Sequence, residues 1–152
     1  MNDIKMSVAR CTDRSEEYQP VDIFIDGRRL IDQLRQVEAP YAEEEGSPDL
    51  AGQYHSLSVR TTFFPSRHFL GEPRPILQHE DKTAILICTC GCEGCWDFVC
   101  KIVVTEQTVT WSHFEQVHRN WDYSTLGEFV FDRTQYGNEL RFPVRVDGPS
   151  PT

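Results

Sequence analysis

Thr83-Ala84-Ile85-Leu86-Ile87-Cys88-Thr89-Cys90-Gly91-Cys92-Glu93-Gly94-Cys95-Trp96-Asp97-Phe98-Val99-Cys100-Lys101-Ile102-Val103-Val104-Thr105-Glu106-Gln107-Thr108-Val109-Thr110-Trp111-Ser112-His113-Phe114 is the stretch on which the fold turns. Residues 84–90 read as a strand that is apolar on both faces. Residues 96–105 read as a second strand, and 108–114, rich in β-branched and aromatic residues, as a third. Glu106-Gln107 forms a two-residue turn between the last two. The expectation is an α+β domain built on a central antiparallel β-meander (84–90, 96–105, 108–114), with flanking strands and two to three short helices.

The turn sets a register. With Thr105 opposite Thr108, Val104 meets Val109, Ile102 meets Trp111 and Cys100 meets His113. Side chains alternate between faces, so Phe98, Cys100, Ile102, Val104, Val109, Trp111 and His113 share the face better suited to the core. A five-residue loop over 91–95 would place Cys90 opposite Trp96 and Cys88 opposite Phe98. Cys88, Cys90, Cys100 and His113 would then lie on one face, and a one-residue slip would reverse this.

Outward from the meander, Val21–Ile25 reads as strand, closed by an Asp26-Gly27 turn. Leu30, Ile31, Leu34 and Val37 recur at helical spacing from Arg28 to about Ala39, where Pro40 helps to end the helix. Ser47-Pro48 suits a helix start, with a short helix to about His55. Residues 57–64 read as strand, with Val59, Thr61 and Phe63 on one face. The segment from Pro65 to Pro75 has three prolines and a glycine, which preclude a regular element. Its Phe and Leu make it a loop that packs on the surface. Phe129-Val130-Phe131 reads as strand, and Asp132 with Gln135 as a capping box for a helix to about Leu140. Residues 1–19 are expected to be a flexible leader, 20–146 a single domain and 147–152 a flexible tail.

The chain has 152 residues and a formal net charge of −9. One domain suits that length. An acidic surface repels phosphate backbones, which argues against nucleic acid as a partner. No apolar stretch approaches the roughly twenty residues of a membrane span, and the first twenty residues lack a signal-peptide core. The expected location is the cytoplasm, where thiols stay reduced.

Five of the six cysteines lie between Cys88 and Cys100. In a reducing compartment they suggest metal, redox chemistry or packing before disulfides. Cys88 and Cys100 sit in apolar runs and read as core side chains. Cys90, Cys92 and Cys95, with His118 or Cys88 as fourth ligand, are a candidate zinc set. Cys92-x2-Cys95 followed by His113-x4-His118 resembles a Cys2His2 finger, but a finger carries both histidines on a helix and this segment is strand. Cys92 and Cys95 are alternatively a thiol oxidoreductase pair, although the strand that follows supplies no helix dipole and Asp97 opposes thiolate formation. The third reading is inert thiols. All three stand open on sequence grounds.

His113, Glu115, His118 and Asp122 form a polar set around Trp111, Phe114 and Trp121, to be weighed as a metal or acid–base site against a satisfied core His113. Arg67, His68 and Arg74 in the proline-rich loop are candidates to hold an anionic ligand. Trp96 and Trp121, with Tyr123, are aromatic anchors that suit contact with a protein partner or a second copy. No nucleophile elbow, phosphate-binding Gly-rich loop or His-Glu-x-x-His occurs.

Cys88-Thr-Cys90-Gly-Cys92-Glu-Gly-Cys95-Trp96, with Thr108-Val-Thr-Trp111-Ser and Phe131-Asp-Arg-Thr-Gln-Tyr136, resembles a family of uncharacterised bacterial proteins. The resemblance covers about Val21 to Leu140, and Cys92 is an addition to the family's usual pattern. It implies a bacterial, cytoplasmic protein and transfers no catalytic residue. The expected function is a non-enzymatic binding or regulatory module, with a zinc-stabilised domain and a thiol oxidoreductase as alternatives.

Overall fold

The computed structural model describes residues 1–8, 15–89 and 97–141. In chain order the elements are β1 (Ile4–Val8), β2 (Val21–Ile25), β3 (Arg28–Arg29), α1 (Leu30–Glu44), β4 (Tyr54–Ser56), α2 (Val59–Thr62), β5 (Gln78–His79), β6 (Lys82–Cys88), β7 (Phe98–Val104), β8 (Thr108–Gln116), β9 (Phe129–Asp132) and α3 (Arg133–Glu139). Strands β1-β2-β3 form one antiparallel sheet. The second sheet runs β4-β6-β7-β8-β9, with β5 also paired to β6. The chain is α+β, and its centre is the β6-β7-β8 meander.

The β7–β8 hairpin keeps the register that its turn dictates. Val104 meets Val109 and Ile102 meets Trp111, and the Thr105 amide donates to Thr108 O at 2.8 Å across Glu106-Gln107. Beyond Lys101, opposite Ser112, the ladder shifts, and Val99 meets Glu115. Two residues of β8, His113 and Phe114, thus span the place of Cys100. His113 takes φ 56, the left-handed geometry that a bulge residue adopts. The bulge turns His113 to solvent and lets Phe114 stack on Phe98 at 5.8 Å. The expected Cys100–His113 pair and the core placement of His113 are therefore corrected. A second bulge, between Ala84 and Leu86, sets Leu86 opposite Phe98. Cys88 lies two residues past Leu86, paired with Tyr54 of β4, so by alternation it keeps the face of Phe98 and Cys100, and it is His113 that leaves that face.

Other elements depart from the sequence reading. Residues 4–8 are strand, not leader, because Ile4 and Met6 bury their side chains while β1 pairs along the whole of β2. The edge of β1 is covered by α3: Gln135 Nε2 donates to Ile4 O at 2.6 Å, and Glu139 accepts from the Met6 amide at 2.7 Å. Asp132 caps α3 by accepting from the Gln135 amide at 3.0 Å. Helix α1 runs past Pro40 to Glu44, held on both sides of the proline by buried Glu38 and Ala42. Pro48–Leu50 is one 3₁₀ turn, followed by strand β4 rather than helix. Residues 59–62, expected as strand, are the short helix α2, capped by Ser58 Oγ accepting from the Thr61 amide.

The main core joins both sheets and α1, with Trp111, Phe98, Phe131 and Tyr136 at its centre. Trp111 Nε1 donates to Tyr136 OH at 3.0 Å, and that hydroxyl donates to Phe69 O at 2.5 Å. Phe69 and Leu70 of the proline-rich segment are thus part of the core, not a surface cover. A smaller cluster of Leu77, Ala84 and Val99 is also buried. Among the described residues no helix is long and apolar enough to cross a membrane.

Candidate anion-binding cleft

Three stretches of chain meet around a cleft of about 770 Å³: Tyr18 and Pro20 before β2, His55 to Thr61 across β4 and α2, and Ser66 to Arg74 of the proline-rich segment, with Ile87 of β6. Backbone bonds hold the first two together. The Val21 amide donates to Leu57 O at 2.8 Å, and the Val59 amide to Gln19 O at 2.8 Å. Ser56 Oγ donates to Asp22 Oδ1 at 2.9 Å. The third stretch is joined by Ser66 Oγ, which donates to Thr61 O at 2.6 Å and accepts from the His68 amide at 3.2 Å. Residues 68–70 then form a 3₁₀ turn that ends at Gly71, φ +83. A Cβ there would stand 3.2 Å from Ile102 O, so both the conformation and the approach to β7 favour glycine.

Arg60 and Arg74 supply fixed positive charge to the lining, and Glu72 is the acidic group there. Glu72 is already engaged by Arg67, Nε to Oε2 at 2.9 Å. Arg60 donates to Tyr18 OH at 3.2 Å, a neutral partner that leaves its charge uncompensated by that bond. Leu57 and Ile87 give the wall an apolar portion.

His68 is only 2% exposed. Its Nε2 donates to Ala84 O at 2.6 Å, since a carbonyl only accepts. Burial, and secondarily the charge of Arg74, lower its pKa to about 4 against the pull of that bond. The ring is therefore neutral at pH 7, with Nδ1 unprotonated. Nδ1 has no hydrogen-bond partner among the described residues.

Of the residues singled out from the sequence, His68 and Arg74 line this cleft, and Arg67 acts on it only through Glu72. Trp121 is elsewhere: it stacks on Tyr41 at 5.6 Å and donates to Glu45 at 3.0 Å, with Arg119 over its ring. Those contacts pin the end of α1. Cys90, Cys92, Cys95 and Trp96 lie outside the described residues, so the zinc set and the thiol pair fall there too. His118 is exposed on the segment after β8, its amide bonded to Gln116 Oε1. Cys100 is fully buried, and burial pushes its thiol pKa well up, which fits a core side chain. Glu115 pairs with Lys82 at 2.7 Å. Asp122 accepts from the Ser124 amide at 2.8 Å, a bond that holds its carboxyl below the ordinary range. Among the described residues no three His, Cys, Asp or Glu side chains converge to hold a metal ion.

Sequence reasoning missed Arg60, His55 and Tyr18. The alternation of Val59, Thr61 and Phe63 obscured α2, and the signal that could have found it was Ser58 as an N-cap. Set against family models, curated proteins and solved structures, the chain matches none.

Proposed function

We propose that this protein is a non-enzymatic binding or regulatory module that takes a small organic anion in the cleft between α2 and the proline-rich segment. The observation that carries this is Arg60 and Arg74 on one cleft, in a chain whose net charge is −9. Two guanidiniums on a partly apolar wall suit a carboxylate or phosphate group attached to a carbon skeleton.

Binding rather than turnover is supported by how the hydroxyls and the imidazole are used. Ser56 donates to Asp22 and Ser66 to Thr61 O, while His68 Nε2 is committed to Ala84 O. A serine nucleophile needs a base on its proton, and both of these protons are directed elsewhere.

Calorimetric titration of the full chain with n-propyl phosphate and with propionate tests the reading. One of them should bind, and Arg60→Ala with Arg74→Ala should weaken it at least about tenfold, the scale of one charge-assisted hydrogen bond. Binding that survives the double substitution undiminished would show that the anion sits elsewhere.

A further inference from the structure

We propose that the anion taken by this cleft is an aromatic one, a carboxylate or phosphate carried on a planar ring, and that Tyr18 selects it by stacking against that ring. The inference rests on the anion reading above and names the class of ligand.

Tyr18 closes a 3₁₀ turn over Glu16–Tyr18, its amide donating to Ser15 O at 3.0 Å. Two bonds tie it to α2. Gln19 O, one residue on, accepts from the Val59 amide at 2.8 Å, and the Tyr18 hydroxyl accepts from Arg60 Nη1 at 3.2 Å. The ring between those anchors is held beside the guanidinium. Tyr18 is nevertheless 48% exposed, more than a hydroxyl oxygen accounts for, so ring carbon is open to solvent. A single exposed aromatic is ordinary on a protein surface. What sets Tyr18 apart is its place: it lines the cleft, beside a cation that it meets through a neutral oxygen. Tyrosine has an apolar body and a polar tip, and aromatic rings pair with one another beyond the gain from area alone. Here the tip is engaged by Arg60 and the body is left open. A planar ring attached to the anion covers that body while its charged group reaches the guanidinium. An open-chain anion meets Arg60 and leaves the ring wet. Leu57 and Ile87 on the same wall favour any hydrocarbon, and Tyr18 favours an aromatic one.

Two matched pairs of probes test this: benzoate against cyclohexanecarboxylate, and phenyl phosphate against cyclohexyl phosphate. Each pair keeps the head group and the ring size and changes only aromaticity, and the two pairs separate carboxylate from phosphate. Titrated into the full chain at a pH where both members are fully ionised, the aromatic member of one pair should bind about fivefold tighter, the scale of one aromatic contact. Tyr18→Leu removes the ring and Tyr18→Phe keeps it. The ratio within the pair should fall to about one in the first variant and persist in the second. Because ratios are compared, a loss shared by both members, such as one from a displaced Arg60, cancels. A second measurement needs no variant: the ring-proton resonances of Tyr18 in the native protein should move further upfield with the aromatic member than with the saturated one, the mark of a stacked ring. Equal affinity within both pairs, a preference that survives Tyr18→Leu or is lost in Tyr18→Phe, or Tyr18 resonances indifferent to which member is bound overturns the role of Tyr18 and leaves the anion cleft standing. If none of the four binds at about 10 mM while n-propyl phosphate or propionate does, the aromatic class is wrong and the anion reading holds. If none of the six binds, the anion reading itself falls.

Discussion

Acidification should destabilise this protein through His68 before its carboxylates are titrated. In the fold the ring is 2% exposed, and burial first, then Arg74, lower its pKa from the ordinary 6.5 to about 4. Above about pH 7 the ring is neutral whether folded or unfolded, and it contributes nothing to pH dependence. Between 6.5 and about 4 the unfolded chain takes up a proton that the fold refuses, so stability falls as pH falls. The slope is about 1.4 kcal/mol per pH unit, so by about pH 4.5 the loss is roughly 2.5 kcal/mol. Against a typical total of about 5–15 kcal/mol that is a large fraction.

The assay is urea unfolding of the native chain and of His68→Gln at several pH values from about 7 to about 4.5. Gln cannot titrate, so the stability difference between the two proteins should move by roughly 2.5 kcal/mol in favour of the variant as pH is lowered. Asp26, Glu45 and Asp122 are also held below the ordinary carboxylate range, chiefly by hydrogen bonds from the Asp3 amide, Arg119 and the Ser124 amide respectively. Their contributions are present above the unfolded carboxylate values and are lost as pH falls through the lower folded ones. Both proteins share them, so they cancel in the difference. A stability gap constant to within about 0.5 kcal/mol across the range would show that His68 is not held neutral by its surroundings.

Three further expectations concern buried polar groups. Glu38, fully buried, accepts from Tyr54 OH and Tyr123 OH, both at 2.5 Å, and from the Gly52 amide at 2.8 Å. Glu38→Gln puts an NH₂ where a donor points and should cost about 2–4 kcal/mol in urea unfolding. Tyr136→Phe leaves Trp111 Nε1 and Phe69 O without their shared hydroxyl, and should cost about 2 kcal/mol in the same assay. Asp97 is fully buried and bonds His79 Nε2 at 2.9 Å through Oδ2. His79→Ala should cost about 3 kcal/mol, read as a lowered thermal midpoint that Asp97→Asn partly restores.

The parts of the fold that were legible are those in which the deciding interaction is short in sequence. The Glu106-Gln107 turn fixes the pairs from Val104–Val109 to Ile102–Trp111, and Asp132 caps α3 three residues ahead of its donor. The readings that failed depended on distant chain. Pro40 lacks the amide and crowds the preceding turn, which in isolation ends a helix. Here the Glu38 carboxylate is bonded to Tyr54, Tyr123 and Gly52, and Tyr41 stacks on Trp121, so packing carries α1 onward. The β8 bulge needs a residue in left-handed geometry. Histidine tolerates that region better than β-branched types, but nothing local to His113 demands it. The demand comes from Phe114, which must reach Phe98 and Phe129. Ile4 and Met6 alternate with Lys5 and Ser7 in the manner of a half-buried strand. That pattern was readable, and the charged residues around it obscured it.

The site was harder to read because its charge argument acts on a different length scale from composition. A net charge of −9 describes the whole surface, and an extended polyanion laid across that surface meets its carboxylates as well as its arginines. A small anion in a cleft samples charges within a few ångströms, while carboxylates beyond about 8–10 Å are largely screened at physiological salt. The lining itself carries Arg60 and Arg74, its Glu72 is engaged by Arg67, and Asp22 stands behind Ser56. A net acidic composition is therefore compatible with the small anion proposed for the cleft. Which arginines line the cleft depends on bonds such as Val59 N to Gln19 O and Ser66 Oγ to Thr61 O, which join stretches that no local sequence pattern connects.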